Sequence, residues 1–251
     1  MTKINDFRVE IKNSSPLIHC ITNPISINQC ANSILALGAR PIMAEHPKEV
    51  SEITASADAL LINLGNITDV RMKSIRISAG EATKRKIPIA IDAVGIACST
   101  LRRKYIHKLL SRCAPTLIKG NYSEIIALSD ARYVAQGVDS DKKLSPEEVK
   151  TIAEKLSLKY NCIILASGRE DIVAENGASS LIDGGTPRLS SVTGTGCMLG
   201  AVCACFLSVD QNSTTIECAC NFFKECGTKA QSADGSGSFL TKLIDNLGGI
   251  I

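Results

Sequence analysis

A short apolar run, a turn and then a longer amphipathic segment recur along most of this 251-residue chain, and no other feature constrains it as much. The apolar runs lie at residues 17–21, 41–43, 59–63, 87–92, 116–119 and 162–166. Most are nearly continuous, as expected of strands covered on both faces. Helical patterns between them span 26–37, 47–55, 68–85, 99–110, 123–128 and 145–159. The last opens with Ser145 at N-cap, Pro146 at N1 and Glu148 at N3, a strong helix start. Such alternation predicts right-handed crossovers and a mostly parallel sheet in an α/β fold. Asn176-Gly177, between the strand-like runs 171–175 and 178–182, predicts an antiparallel hairpin at the sheet edge. Helices at 197–209, 214–232 and 237–247 close the chain. No repeat, low-complexity tract or linker interrupts it, so residues 1–251 are expected to form one domain.

Composition then removes whole classes of function. Twenty-eight basic and 25 acidic residues are too balanced for a nucleic-acid footprint. Aromatics are only 4% and Trp is absent, which argues against base-stacking platforms. The longest apolar stretch, 199–209, falls well short of the ~20 residues a spanning helix needs. Lys3, Asp6, Arg8, Glu10 and Lys12 break any signal-peptide core. The expectation is a cytoplasmic protein with neither nucleic acid nor membrane as partner.

Eleven cysteines invite a metal reading, above all Cys203-Ala204-Cys205 followed by Cys218-Ala219-Cys220. Both pairs lie in helix-like, Ala-rich runs, where residues two apart point to different faces and chelate one ion poorly. Core packing as small hydrophobes is the favoured reading.

In open parallel sheets ligands bind beyond the carboxyl ends of the strands. Following that edge leads to Val192-Thr193-Gly194-Thr195-Gly196-Cys197, directly before an apolar helix. Glycines at 194 and 196 permit a tight bend and close approach to a ligand. The helix behind them offers free N–H groups and partial positive charge, an anion hole suited to phosphate. No Walker lysine follows, and the spacing is not that of a dinucleotide fingerprint. Alone, the segment is equally a simple tight turn.

Asn121 and Glu124, three apart at a strand end, could hold a hydrated Mg²⁺ through amide and carboxylate oxygens. Taken by itself the pair reads more simply as a helix N-cap and its N3 partner. Asp92 ends a fully apolar strand and by itself is another turn residue.

In combination and in order, these segments resemble the hydroxyethylthiazole kinase family of the ribokinase superfamily. The resemblance runs nearly end to end. It includes Pro16-Leu17-Ile18-His19-Cys20-Ile21-Thr22-Asn23, Asn28, the stretch from Ala36 to Glu45, and Ala59 to Gly65. It continues through Asp92-Ala93-Val94-Gly95, Lys119-Gly120-Asn121-Tyr122-Ser123-Glu124 and the Gly194-Thr195-Gly196-Cys197 turn. Cys197 stands where the wider superfamily usually has Asp, which points to this branch.

The resemblance implies a ribokinase-like three-layer α/β/α sandwich and transfer of the ATP γ-phosphoryl to the hydroxyl of 4-methyl-5-(2-hydroxyethyl)thiazole, a step of thiamine salvage. It implies that Met43 and Gly194 contact the thiazole, with Asn23 and Asn28 lining the same pocket. It assigns Lys119, Ser167, Thr195 and Gly196 to ATP, and Asp92 and Glu124 to the vicinity of Mg²⁺. Cys197 takes the place of the catalytic base. A homotrimer with sites at subunit interfaces is implied as well. Lys119 stands where many members have Arg, which keeps the charge but loses the bidentate fork. Ala93 replaces a common Pro and loosens that loop. Another small-alcohol or hydroxymethylpyrimidine kinase of the superfamily, or a binding module without turnover, are the competing readings. His46 reads as a turn residue, His107 and the run Arg102-Arg103-Lys104 as a solvated helix face, and His19 has no legible task.

Overall fold

The structure, a computed structural model, describes residues 3–130, 133 and 145–249. Eight strands form one sheet: β1 (Leu17–Ile21), β2 (Arg40–Ile42), β3 (Ala59–Asn63), β4 (Ile89–Asp92), β5 (Leu117–Asn121), β6 (Ile163–Ser167), β7 (Asp171–Glu175) and β8 (Ala178–Ile182). Their order is β2-β1-β3-β4-β5-β6-β7-β8. Pairings from β2 to β6 are parallel; β7 and β8 add an antiparallel hairpin. Asn176 and Gly177 both take positive φ there, as a two-residue turn of the right twist requires.

The helices are α1 (Lys3–Ser14), α2 (Ile27–Ala36), α3 (Val50–Ala55), α4 (Asp69–Arg85), α5 (Thr100–Leu110), α6 (Tyr122–Ser129), α7 (Pro146–Tyr160), α8 (Arg188–Ser191), α9 (Thr195–Leu207), α10 (Ser213–Ala230) and α11 (Ser236–Leu247). Strand periodicity divides the core into two layers. Ile18, Cys20, Leu61, Ala90, Leu117 and Leu165 face α1, α2, α9, α10 and α11. Ile21, Leu60, Ile62, Ile91, Ile118 and Ile164 face α3 to α7. The expected three-layer α/β/α sandwich is therefore observed.

Differences from expectation lie mainly at element ends. The fourth strand starts at Ile89 rather than residue 87, because Pro88 has no N–H to enter the ladder. Residues 47–49 form a turn, so α3 starts only at Val50. Ser145 occupies the N-cap of α7, but its side chain makes no capping bond. The N-terminal helix α1 went unrecognised although Phe7 and Ile11, one turn apart, are its buried face. Phe7 packs on Phe206 of α9 with ring centroids 5.6 Å apart.

Nine of the eleven cysteines are buried, Cys197 is half-buried and Cys98 is exposed. Burial pushes Cys30, Cys162 and Cys226 up to about 12, so these thiols stay neutral at physiological pH. Cys203, Cys205, Cys218 and Cys220 all belong to the layer between the sheet, α9 and α10. Among the described residues no helix is long and apolar enough to cross a membrane.

Candidate active site

The site grows out of the strand register. Asn63 is the ladder partner of Asp92, and Asp92 is the partner of Lys119. Each lies two residues beyond an apolar residue, Leu61, Ala90 or Leu117, buried on the α9 side. A period of two therefore turns all three polar side chains to that same face, at the carboxyl edge. They are almost completely buried, with Asn63 and Asp92 each 1% exposed and Lys119 4%.

Lys119 Nζ donates to Asp92 Oδ2 at 3.2 Å, and Asn63 Nδ2 donates to the same oxygen at 3.2 Å. Asn63 Nδ2 also lies 3.2 Å from Cys197 Sγ, and Asn23 Nδ2 lies 3.4 Å from it. Asn23 donates to Asn63 Oδ1 at 3.0 Å, and that oxygen accepts the Gly65 N–H at 2.8 Å. The chain runs from β1 outward to β2 and then returns to β3 on the other side. Asn23 and Asn63 thus span the switch point of the sheet, where ligands bind in open α/β folds.

Over this row stands the start of α9. Gly194 is its N-cap with φ +97°, a left-handed conformation that a side chain resists, and a Cβ there would sit 3.4 Å from Ser26 Cβ. The helix begins at Thr195, two residues earlier than expected, so Cys197 is its third residue. The first-turn N–H groups of Gly196 and Cys197 have no acceptor within the helix. A Cβ on Gly196 would lie 3.8 Å from Lys119 Nζ, and one on Gly200 3.5 Å from Asp92 Oδ2. Thr195, expected at ATP, has its side chain engaged within the chain. Its hydroxyl turns back to the Leu189 carbonyl and to Val192 O at 3.0 Å, and its N–H also points to Val192 O.

Burial pushes the Asp92 carboxyl up, while Lys119 and the Asn63 amide pull it back down. Burial works against the Lys119 charge too, yet the surrounding acids, Asp92 first, hold the ammonium well above its usual range. The pair is a buried ion pair. Glu124 is pushed up to about 6 by burial and then by the Asp92 charge. Its Oε1 accepts the Gly95 N–H at 2.7 Å and its Oε2 the Asn121 N–H at 2.8 Å. Asn121 Oδ1 accepts the Glu124 N–H at 2.8 Å, which completes a capping box. Asn121 is therefore committed to the helix start of α6, while each Glu124 oxygen keeps further acceptor capacity.

The donor set suits a hydrated divalent cation. Asp92 Oδ1 is buried with no hydrogen-bond partner, and an orphaned carboxylate oxygen beside a second carboxylate calls for a positive ligand. Among the described residues no three metal-ligating groups cluster, so such a cation would complete its shell with water and phosphate oxygens.

The other expected residues are more dispersed. Met43 follows β2 and is half-buried against the α9-side core. Its loop is held by buried His19, whose Nε2 donates to Ala44 O at 2.9 Å and whose Nδ1 lies 2.9 Å from Thr54 Oγ1. Ser167 ends β6 and donates to Gly120 O at 3.3 Å. Asn28 is exposed on α2 and its side chain accepts from Asn32, so it does not join the buried row within this chain.

Asn63 belongs to the network although no sequence motif singles it out. Its signal was the i+2 spacing from Leu61, shared with Asp92 and Lys119. Arg103 is corrected as well. It is 7% exposed and donates to Ile96 O and Ala97 O, so it braces the loop after β4 and is no solvated face. His107 is half-buried near Tyr160, also unlike the expected solvated residue.

Residues 9–251 match the hydroxyethylthiazole kinase family. The chain belongs to that family. Hydroxyethylthiazole kinase 2 of Clostridium botulinum is 45% identical over 246 residues, 96% of this chain and 92% of the relative. The structure of a hydroxyethylthiazole kinase protein from Pyrococcus horikoshii superposes with a TM-score of 0.89 at 31% identity, covering 99% of this chain and 93% of that one. A ribokinase-like superfamily protein from Enterococcus faecalis has a TM-score of 0.68 at 14% identity, covering 94% and 88%, and shares the fold alone. Hydroxyethylthiazole kinase family membership gives the buried row a chemical setting, that of an alcohol kinase.

Proposed function

We propose that the chain is a hydroxyethylthiazole kinase that transfers the γ-phosphoryl of ATP to the primary hydroxyl of 4-methyl-5-(2-hydroxyethyl)thiazole, in thiamine synthesis or salvage. The observation that carries this reading is the Asn63–Asp92–Lys119 row beneath Cys197 at the start of α9. It supports the reading because the Cys197 sulfur, Asn63, Asp92 and the Lys119 ammonium form one connected network beside the helix start.

Phosphoryl transfer passes through a loose transition state, so catalysis is mainly alignment and charge neutralisation. The substrate hydroxyl oxygen attacks the γ-phosphorus as the bond to the β–γ bridging oxygen breaks, and ADP departs with that oxygen. The hydroxyl proton passes to Cys197 Sγ, which acts as the thiolate and becomes the thiol. Gly196 and Cys197 N–H groups meet charge growing on the equatorial oxygens, and Lys119 offsets more of it. Gly194 and Met43 flank the thiazole ring, with Asn23 below it. Ser167 lies on the nucleotide side. Asp92 Oδ1 and Glu124 would hold Mg²⁺, which when bound neutralises the phosphate oxygens. A weak base suffices here because the proton leaves late, so the sulfur supplies the low end of the ~10²–10⁴ typical of general bases.

One domain carries all these parts, in a cytoplasmic protein. Exposed Asn28 and Ile25, close in sequence to Asn23, favour a homotrimer whose neighbouring subunit covers the site. An ATP-consumption assay over hydroxyethylthiazole, hydroxymethylpyrimidine and ribose tests the function. Turnover on the thiazole is the expected result. Turnover on another alcohol alone makes this a different kinase, and binding without ADP release makes it a vitamin-binding module.

A further inference from the structure

Every hydrogen-bonding position of the Asn63 side chain is spoken for. Its Oδ1 accepts from Gly65 N at 2.8 Å and from Asn23 Nδ2 at 3.0 Å. Those two donors fix which end of the amide is oxygen, so the two N–H bonds must point the other way. There they meet Asp92 Oδ2 at 3.2 Å and Cys197 Sγ at 3.2 Å. The residue is 1% exposed at the last position of β3, and its main chain is locked in register with Asp92. A buried amide with a single allowed orientation is a rigid fork.

From this geometry we infer that Asn63 is the positioning residue that sets Cys197 Sγ against Asp92 for phosphoryl transfer, a role that rests on the kinase reading above. One tine holds the sulfur as a hydrogen-bond acceptor, facing the substrate hydroxyl with its lone pair. The other joins Lys119 in occupying Asp92 Oδ2, which leaves Oδ1 as the Asp92 oxygen open to a ligand. Asn63 touches neither nucleotide nor alcohol in this scheme. Its loss therefore acts on the chemical step and not on ground-state binding.

Gly65 guards the same arrangement. A Cβ at this position would come within 2.8 Å of Asn63 Oδ1 and 3.0 Å of Asn23 Nδ2. Gly65 is not among the positive-φ glycines, so Gly65→Ala would act mainly by pushing both amides aside without removing a donor or acceptor.

The test uses the full-length enzyme and three substitutions. Asn63→Leu keeps the volume and removes all four bonds. Asn63→Asp keeps the oxygen for Gly65 and Asn23 but has no N–H for Cys197 or Asp92. Gly65→Ala displaces the amide without changing it. Folding is monitored by thermal melting, and kcat and KM are measured separately for ATP and for hydroxyethylthiazole. Loss of a supporting partner of this kind costs about 10–100-fold. The expected result is a kcat lowered by that factor in every variant that melts cooperatively, with both KM values little changed. A well-folded Asn63→Leu or Gly65→Ala enzyme with parental kcat overturns the proposal. So does a loss confined to KM, which assigns Asn63 to binding. If the parent phosphorylates a different alcohol, the substrate reading fails, and the same kcat comparison on that alcohol still decides the role of Asn63.

Discussion

Asp92 and Lys119 are ladder partners on β4 and β5, and their side chains meet at 3.2 Å beneath the first turn of α9. The pair is 1% and 5% exposed at its side chains, so each charge depends on the other. Removing one partner of a buried pair typically costs about 3–5 kcal/mol, because an uncompensated charge stays behind. Lys119→Met is expected to lower the melting temperature sharply and to abolish turnover. The double variant Lys119→Met/Asp92→Asn recovers most of the stability and none of the activity. A single variant as stable as the parent contradicts the buried-pair account.

In the proposed mechanism Cys197 takes the hydroxyl proton, a contribution that kinetics can separate from binding. Cys197→Ala should reduce kcat by about 10²-fold, the low end for general bases, with a smaller change in KM. Cys197→Asp places the more usual superfamily residue at the same helix position and should retain substantial activity. Steady-state kinetics on both variants checks this; an alanine variant as fast as the parent removes the base role.

The buried imidazole of His19 braces the loop that carries Met43, the residue proposed to contact the thiazole. It donates to Ala44 O, next to Met43, and that loop is further pinned where Ser74 Oγ donates to Glu45 O at 2.7 Å. His19→Leu leaves the Ala44 carbonyl without its partner, at a cost of about 1–3 kcal/mol. The expected signature is a several-fold rise in KM for the thiazole with KM for ATP unchanged. Equal rises for both substrates point to general loosening instead.

Glu124 gives the protein a pH dependence of definite sign. Burial, followed by repulsion from Asp92, moves its carboxyl from the model-peptide 4.5 to about 6 in the fold. The folded protein holds this proton more tightly than the unfolded chain. The resulting stability is fully present below pH 4.5 and is lost as pH rises through about 6. A shift of this size corresponds to about 2 kcal/mol. Between pH 4.5 and 7.5 the melting temperature of the metal-free parent should therefore fall relative to that of the Glu124→Gln enzyme as pH rises. Parallel curves refute the assignment.

The strands that frame the site were legible because their apolar runs are short, nearly continuous and bounded by turn residues. The hairpin was legible from Asn176-Gly177 alone, since few other pairs tolerate two positive φ angles. Pairing of Asn121 with Glu124 was equally local, a capping box spanning four residues. Local chemistry of this kind needs no partner elsewhere in the chain. The start of α9 was misplaced by two residues because Gly194 serves as a cap without any side-chain signature. That shift turns the Thr195 hydroxyl inward and makes Cys197 the third residue of the helix instead of the first.

What the amino-acid order determined by itself was the α/β class, the element sequence and the edge on which polar residues collect. Hydrophobic periodicity and turn chemistry act over a few residues and are written there directly. Only the tertiary structure decided that Asn23, Asn63, Asp92, Lys119 and Cys197, spread over 175 positions from residue 23 to residue 197, share one buried network. Strand order and register bring them together, and both depend on long-range pairing between β1, β3, β4 and β5. Burial then changes their chemistry. Asp92 and Lys119 in water are ordinary charges, whereas inside this fold each keeps its charge because the other lies beside it.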